Sequence, residues 1–509
     1  MITQLADAIR ARPFPVIVEL VASELSREAQ VLEIASQLAT IPDVVAGSVT
    51  SYAGGRFGQD PVRVGSAVRA RGLPPNVHLT CVNQDRAGIR KTLQALRALG
   101  MLNVFALTGD WPTGTDAKPV FDLDSVMLTE LIAALRAEQG VPFHISVAVS
   151  PFKYSREDCL YQYLKLEQKV AAGADLAITQ VGWDARKFAE LKRYVDERGL
   201  SNPLMGNVYV LGRRAAERMA GGSPPGCWAP PALVEMVRRE SEESDGGLHA
   251  RLERAAQGVA VLKGLGYAGA YIGGTHDPEQ IAHIIARAAE LAPQWEACAE
   301  RLQFGDANGF YLDRDTGPVH HRLPVLARTL DVVGRAFPVS HDTWLRRTLT
   351  HLFAWIDQRP ALRDLTERFE FWLKRPVFGC ETCGNCVLGH MEYVCPQTCP
   401  KQMRNGPCGG AFRTRCEVVD QECIWVGVYQ RAEAMNRVDA LKTFIPPPDR
   451  RLKRTSSWIN YFLGRDSRPE HHKPVDASTA PPEPIRVVRN QRQHSAAAGM
   501  REQTQQVGV

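Results

Sequence analysis

Long hydrophobic runs are absent from this 509-residue chain. No stretch approaches the roughly 20 consecutive apolar residues that cross a bilayer, so no membrane span is expected. The opening MITQLADAIRARPFPVIVEL lacks the charged, apolar and small-residue order of a secretory signal, and a cytoplasmic location is expected. A basic surface is absent too. Residues 446–509 hold eleven Lys and Arg against six Asp and Glu, which accounts for the whole net charge of +5 and leaves the first 445 residues neutral. A neutral body without a basic stripe argues against nucleic acid as a partner. Cysteine is sparse over most of the chain. Only Cys81, Cys159, Cys227 and Cys298 lie outside residues 380–423; each reads as a small buried apolar residue, and disulfides are not expected in a reducing compartment.

What the chain does contain is a series of short β-branched runs. They are PVIVEL from Pro15, DVVAGSV from Asp43, NVHLTCV from Asn76, NVFAL from Asn103, HISVAV from His144, DLAITQ from Asp175, PLMGNVYV from Pro203 and YAGAYIG from Tyr267. Most are uniformly apolar rather than alternating, the pattern of parallel strands covered on both faces. Helical periods lie between them. In DRAGIRKTLQALRALG, Asp85 caps the start, Ile89, Leu93 and Leu96 share a face, and Gly100 ends the helix, while DPEQIAHIIARAAELAP opens with Asp-Pro and closes on proline. Eight strands with interleaved helices predict an α/β fold, a (β/α)8 TIM barrel over residues 1–292, with a doubly wound open sheet as the competing arrangement. In a barrel the chemistry belongs at the C-terminal rim, which singles out Glu19, Thr50, His78, Thr80, Asp110, Gln180 and the loop GGTHD. A carboxylate inside the apolar run VIVEL is costly unless it serves a purpose.

Beyond the barrel, residues 293–377 read as a helical bridging region, and the aromatics of WLRRTLTHLFAWI and LTERFEFWLKRPVF are expected in its core. Residues 378–445 form a cysteine-rich domain ending in one helix, CIWVGVYQRAEAMNRV. The basic, Pro-rich tail 446–509 is expected to be largely disordered, with SWINYFLGRD as a docked patch. The cysteine spacing is Cys380-x2-Cys383-x2-Cys386-x8-Cys395-x3-Cys399-x8-Cys408-x7-Cys416-x6-Cys423. A CxxCxxC followed by Cys-Pro lets three thiolates of one tight loop hold three irons of a 4Fe-4S cubane while a distant cysteine supplies the fourth, and eight thiolates fill two such sites. Zinc is the alternative, since CxxC pairs also build tetrahedral sites that fold small domains. His390 could replace one thiol.

Several pieces of the barrel, taken in order and spacing, resemble methylenetetrahydrofolate reductase: the glutamate in VIVEL, SVT of the second strand, HLTC of the third, ALTGDWP after the fourth, and KVAAGADLAITQ through the sixth. The run from CETCGNC through CPQTCPK, NGPCGG and ECIW resembles the cysteine-rich C-terminal domain fused to, or partnered with, such reductases. The resemblance implies an FAD-dependent enzyme of one-carbon (folate and methionine) metabolism that reduces 5,10-methylenetetrahydrofolate to 5-methyltetrahydrofolate, an oxidoreductase acting on CH-NH bonds. By its place in the motif, Glu19 is then the acid that opens the folate ring to an iminium ion. Asp110 and Gln180 hold the pterin, and Thr50, His78, Asp110 and Lys169 hold FAD, Lys169 at a phosphate. A folate substrate follows from the same resemblance, and a homo-oligomer is expected.

The pattern departs from the family at the periphery. LVASELS follows the glutamate, Thr108 stands in LTGD where the family has arginine, Ser150 replaces an aromatic residue, Val181 and Gly182 replace a phenylalanine pair, and the eighth strand ends in GGTHD without an arginine. These changes point away from direct nicotinamide stacking and toward electrons delivered through an iron-sulfur centre, with an electron-transfer protein as a possible partner and NAD(P)H as the alternative donor. Two other functions stay open: a non-redox folate-binding methyl-transfer enzyme, and a degenerate barrel that scaffolds an electron-transfer complex.

Overall fold

The computed structural model describes residues 5–21, 28–50, 58–315, 317, 319, 321–336 and 342–471. Eight parallel strands close into a barrel in sequence order: β1 (Val16–Leu20), β2 (Val44–Val49), β3 (Pro75–Thr80), β4 (Asn103–Leu107), β5 (His144–Val149), β6 (Leu176–Thr179), β7 (Leu204–Tyr209) and β8 (Gly269–Gly273). Every expected run is a strand, and pairing of β1 with β8 rules out the open sheet.

Register decides which side chains face the lumen. Ile17 pairs with Ala46 and Tyr271, Glu19 with Ser48, His78 with Phe105, Phe105 with Ser146, and Ala148 with Ile178. Side chains alternate along a strand, so these residues point inward while Val16, Val18, Leu20, Val77 and Leu79 join the core under the surrounding helices. At the N-terminal end the helix Leu5–Ala11 sets Leu5 and Ala8 against lumen residues Ile17, Phe105, Leu176 and Tyr271, and Leu5 N donates to Asn103 Oδ1 at 3.2 Å. The lumen therefore opens toward the C-terminal ends of the strands.

The helices follow their local signals. Asp85 caps Arg86–Ala98 through Gly88 N, with Ile89, Leu93 and Leu96 buried, and Asp277 caps Pro278–Leu291 through Glu279 N and Gln280 N. The helix Arg156–Ala171 is different, because ten of its sixteen residues are buried. Cys159, Tyr163 and Leu166 join the barrel core, whereas Tyr161 and Leu164 face outward into a second core with Val387, Met391, Met403, Trp425, Val428 and Tyr429. The helix is thus buried on opposite faces, and the cysteine-rich segment is its second cover. All described residues lie in one compact unit.

Two expectations change. The bridging region forms the helices Trp295–Arg301, Val325–Ala336, Trp344–Asp357 and Pro360–Phe378, but Trp344 is 76% exposed and Trp372 72% exposed, so these aromatics are not a core. Their helices pack along narrow seams such as the stacking of Phe353 on Phe462 at 4.9 Å, which leaves one side without cover among the described residues. Residues 446–471 are folded rather than disordered. Within them Ser457–Phe462 is a helix capped by Ser456, whose hydroxyl also donates to the buried Glu370 at 2.7 Å. The rest of the expected tail lies outside the described residues. No described helix is long and apolar enough to cross a membrane.

Candidate functional site

Glu19, one residue from the end of β1, projects into the barrel mouth. A Cβ at Gly273 of β8 would stand 2.8 Å from Glu19 Oε2, so glycine there leaves the carboxylate its room. No hydrogen bond or ion pair reaches the carboxylate from the described residues. The group is partly open to the mouth, yet the density of the surrounding protein strips enough water to push its pKa up to about 7.

The neighbouring groups are mostly neutral. Ser48 Oγ and His78 Nε2 lie 2.9 Å apart, and the His78 ring meets Phe105 edge-on at 4.9 Å. Burial pushes His78 down to about 3, so its imidazole carries no charge near neutrality. Thr50 is buried with Oγ1 3.4 Å from the Leu20 carbonyl. Gln180 Oε1 accepts from Val181 N at 2.9 Å, which leaves its Nε2 without a partner among the described residues. Among the described residues, Ser150 Oγ and Asn207 Oδ1 are buried without a hydrogen bond, as are Ser146 Oγ and Asn76 Oδ1 deeper in the lumen. Such unmatched polar atoms are uncommon in a finished interior.

Asp110 follows β4 on a turn made by Gly109 at φ +90°, a backbone conformation that suits glycine. Thr108, in the position of the family's arginine, is buried and accepts from Ser125 N at 3.1 Å, so it serves the start of the helix Ser125–Gln139. The turn is gripped by the cysteine-rich segment. Lys401 Nζ donates to Gly109 O at 2.8 Å, Trp111 N donates to Glu417 Oε1 at 3.3 Å, and Lys401 and Glu417 form an ion pair whose side chains are each 2% exposed.

Lys169, expected at an FAD phosphate, donates its ammonium to the Ala148 carbonyl of β5 at 2.5 Å, from a helix buried on both sides. Burial, with Lys165 nearby, pushes it down to about 7. Two further lysines escape a sequence reading. Lys153 Nζ donates to the carbonyls of Gly409, at 2.7 Å, and Ala411, and Lys165 Nζ to those of Gly406, at 3.3 Å, and Pro407, at 2.8 Å, enclosing the loop that carries Cys408. Neither has a carboxylate within ion-pair distance among the described residues. Burial lowers both, opposed for Lys153 first by Asp158 and then by the Cys408 sulfur, and for Lys165 first by Asp124 and then by Cys408.

The eight thiols fall into two neighbourhoods. Cys380, Cys383, Cys386 and Cys395 line one pocket that opens to solvent. Beside it Lys374 Nζ lies 3.6 Å from Cys386 Sγ and 2.6 Å from Glu370, and the buried Arg404, facing Cys383, Cys395 and Cys386, has an Nη1 without a partner among the described residues. Cys399, Cys408, Cys416 and Cys423 are near enough to perturb one another. Among the described residues no three His, Cys, Asp or Glu side chains stand close enough to share a single metal ion. His390 Nε2 lies 3.0 Å from Glu470.

The fold brings Glu19, Thr50, His78, Asp110 and Gln180 to the lumen or its rim, and sets Lys169 against the β5 carbonyl of Ala148. The sequence expectation misses Ser48, Asn207, Lys153, Lys165, Lys401, Arg404 and Glu417. The usable signal for two of them is a lysine amid aromatic and apolar residues in PFKY and YLKL.

Residues 26–248 match the family model described as methylenetetrahydrofolate reductase, and residues 360–451 match that described as methylene-tetrahydrofolate reductase C terminal. Glu19 precedes the first match. Similar proteins include the "Probable methylenetetrahydrofolate reductase (NADPH)" of Caenorhabditis elegans, 30% identical over 155 residues (29% of this chain, 22% of that one), and "Methylenetetrahydrofolate reductase 2" of Schizosaccharomyces pombe, 30% identical over 146 residues (27% and 22%). The "5,10-methylenetetrahydrofolate reductase" of Salmonella typhimurium is 30% identical over 122 residues, 24% of this chain and 38% of that one. The matched stretches thus span well under half the length of these relatives. The barrel thus carries a methylenetetrahydrofolate reductase domain over residues 26–248, and the cysteine-rich segment carries the matching C-terminal domain over residues 360–451.

Proposed function

We propose that this chain reduces the methylene bridge of 5,10-methylenetetrahydrofolate to a methyl group, with Glu19 as the acid and FAD as the bound redox group. The carrying observation is the isolated Glu19 carboxyl, held near neutrality at the open end of the barrel. A carboxylic acid with a pKa near the working pH gives up a proton readily and is not already empty. Glu19 delivers that proton to N10 of the folate, which makes N10 a leaving group and opens the five-membered ring to an iminium cation. Gln180 Nε2 and Asp110 orient the pterin through its polar edge.

The unpartnered Ser150 Oγ and Asn207 Oδ1 fit the edge of a planar heteroaromatic group, so Thr50, Asp110, Ser150 and Asn207 would hold the flavin ring. When bound and reduced, the flavin supplies hydride. Lys169 and Thr108 are committed to the protein's own backbone, so the dinucleotide end is held by other residues.

The two thiol neighbourhoods would hold metal–thiolate centres, for which we favour iron-sulfur over zinc. Four thiols lining a pocket suit a many-atom cluster better than one tetrahedral ion, whose sulfurs lie about 2.3 Å from a common centre. Lys153, Lys165 and Arg404 support an anionic occupant, because buried cations without carboxylates are costly unless another negative charge offsets them. An iron-sulfur centre supplies one-electron transfer. The test is full-length protein purified without oxygen and given reduced dye and substrate. It should form 5-methyltetrahydrofolate and contain flavin and iron; flavin-loaded protein that forms no methyl product overturns the reading, and zinc without iron overturns the cluster assignment.

A further inference from the structure

We propose that Lys401 and Glu417, both from the cysteine-rich segment, are a positioning pair for Asp110, so that the catalytic face of the barrel is complete only with that segment in place. The inference rests on the pterin-holding role proposed for Asp110. Lys401 Nζ holds Gly109 O at 2.8 Å and Glu417 Oε1 holds Trp111 N at 3.3 Å, so the main chain is fixed on both sides of Asp110 by one ion pair. The turn needs such a hold, because a glycine at φ +90° retains wide backbone freedom. Lys401 lies 5.4 Å from the Phe121 ring centre, and Phe121 stacks with Trp111 at 5.9 Å, so the residue after Asp110 is packed as well as bonded.

Docking alone does not require this pair. An ion pair sunk this deeply loses its hydration, and an apolar pair of similar size would serve stability equally well. What an apolar pair could not do is bond Gly109 and Trp111. The pair also reaches the thiols: Cys408 Sγ donates to Glu417 Oε2 at 3.3 Å, so one carboxylate touches both the second cysteine group and the Asp110 turn.

The test is a mutant cycle in the full-length protein, following methylene-folate reduction with a dye donor. The double replacement Lys401→Met with Glu417→Met keeps the contact apolar and avoids a lone buried charge. It should lower turnover by between about tenfold and about a hundredfold, the scale of a small misplacement at a reacting centre, with flavin absorbance and metal content unchanged. Adding Asp110→Asn should then cost little more, because both changes act through one side chain. Lys401→Arg, which retains a donor and the charge, should recover part of the rate. Wild-type kcat and KM in the double replacement, or a loss that adds in full to that of Asp110→Asn, overturns the pairing while leaving the reductase reading intact. A silent Asp110→Asn removes the role of Asp110, and this inference with it.

Discussion

Glu19 sits where an ionised carboxylate is costly, and that cost is measurable. Its folded pKa of about 7 lies above its ordinary value of 4.5, so the native state holds an extra proton between those values and stability declines as pH rises from about 4.5 to about 7. Glu19→Gln should therefore gain about 2 kcal/mol relative to wild type between pH 4.5 and pH 8, partial exposure keeping the gain below the full value for such a shift. Chemical denaturation at the two pH values checks this; a difference independent of pH contradicts it. Glu19 is legible in sequence because a glutamate interrupts an apolar run, and its burial needs no contact from the cysteine-rich segment. Lys169 is not legible in the same way. It lies on a helix whose second cover, including Met403, Trp425 and Tyr429, arrives more than 200 residues later in the chain.

Among elements, the helix Ser125–Gln139 and its cap show how the two parts of the chain are joined. Asp124 Oδ1 accepts from Val126 N and Met127 N as an ordinary N-cap, while Oδ2 accepts from Arg404 N at 3.3 Å and from Asn405 N and Nδ2, each at 3.1 Å. Asp124→Ala removes the cap and strands these buried donors, so it should cost at least about 2 kcal/mol and expose the 399–423 segment to proteolysis before the barrel. Unfolding midpoints with limited proteolysis check this; a loss confined to the barrel helix contradicts the joint. Strands and barrel helices are readable because caps and periodicity are local. The helices from Val325 to Phe378 carry apolar stripes too, but periodicity reports a stripe without reporting what covers it. Trp344 and Trp372 consequently look like core residues in sequence and are exposed in the fold.

At the scale of the molecule, barrel and cysteine-rich segment share a core through Tyr161 and Leu164, and share charge through Lys153, Lys165 and Lys401. Loss of the proposed metal–thiolate centres should leave Lys153 and Lys165 without a counter-charge, whereas Lys401 keeps Glu417. A chelator applied without oxygen should thus lower the unfolding temperature of the barrel together with that of the segment, in one calorimetric transition. A barrel transition that stays in place contradicts the coupling. Cysteine spacing makes the thiol domain legible, but its docking depends on lysines scattered over 250 residues. The central claim is that Glu19 gives the proton that opens the folate for hydride. The most direct measurement is anaerobic single turnover, with reduced flavin bound and 5,10-methylenetetrahydrofolate added, followed by flavin absorbance across pH. The account predicts reoxidation that slows as pH rises through about 7 and is nearly abolished in Glu19→Gln with flavin still bound. Equal reoxidation rates in wild type and Glu19→Gln would contradict it.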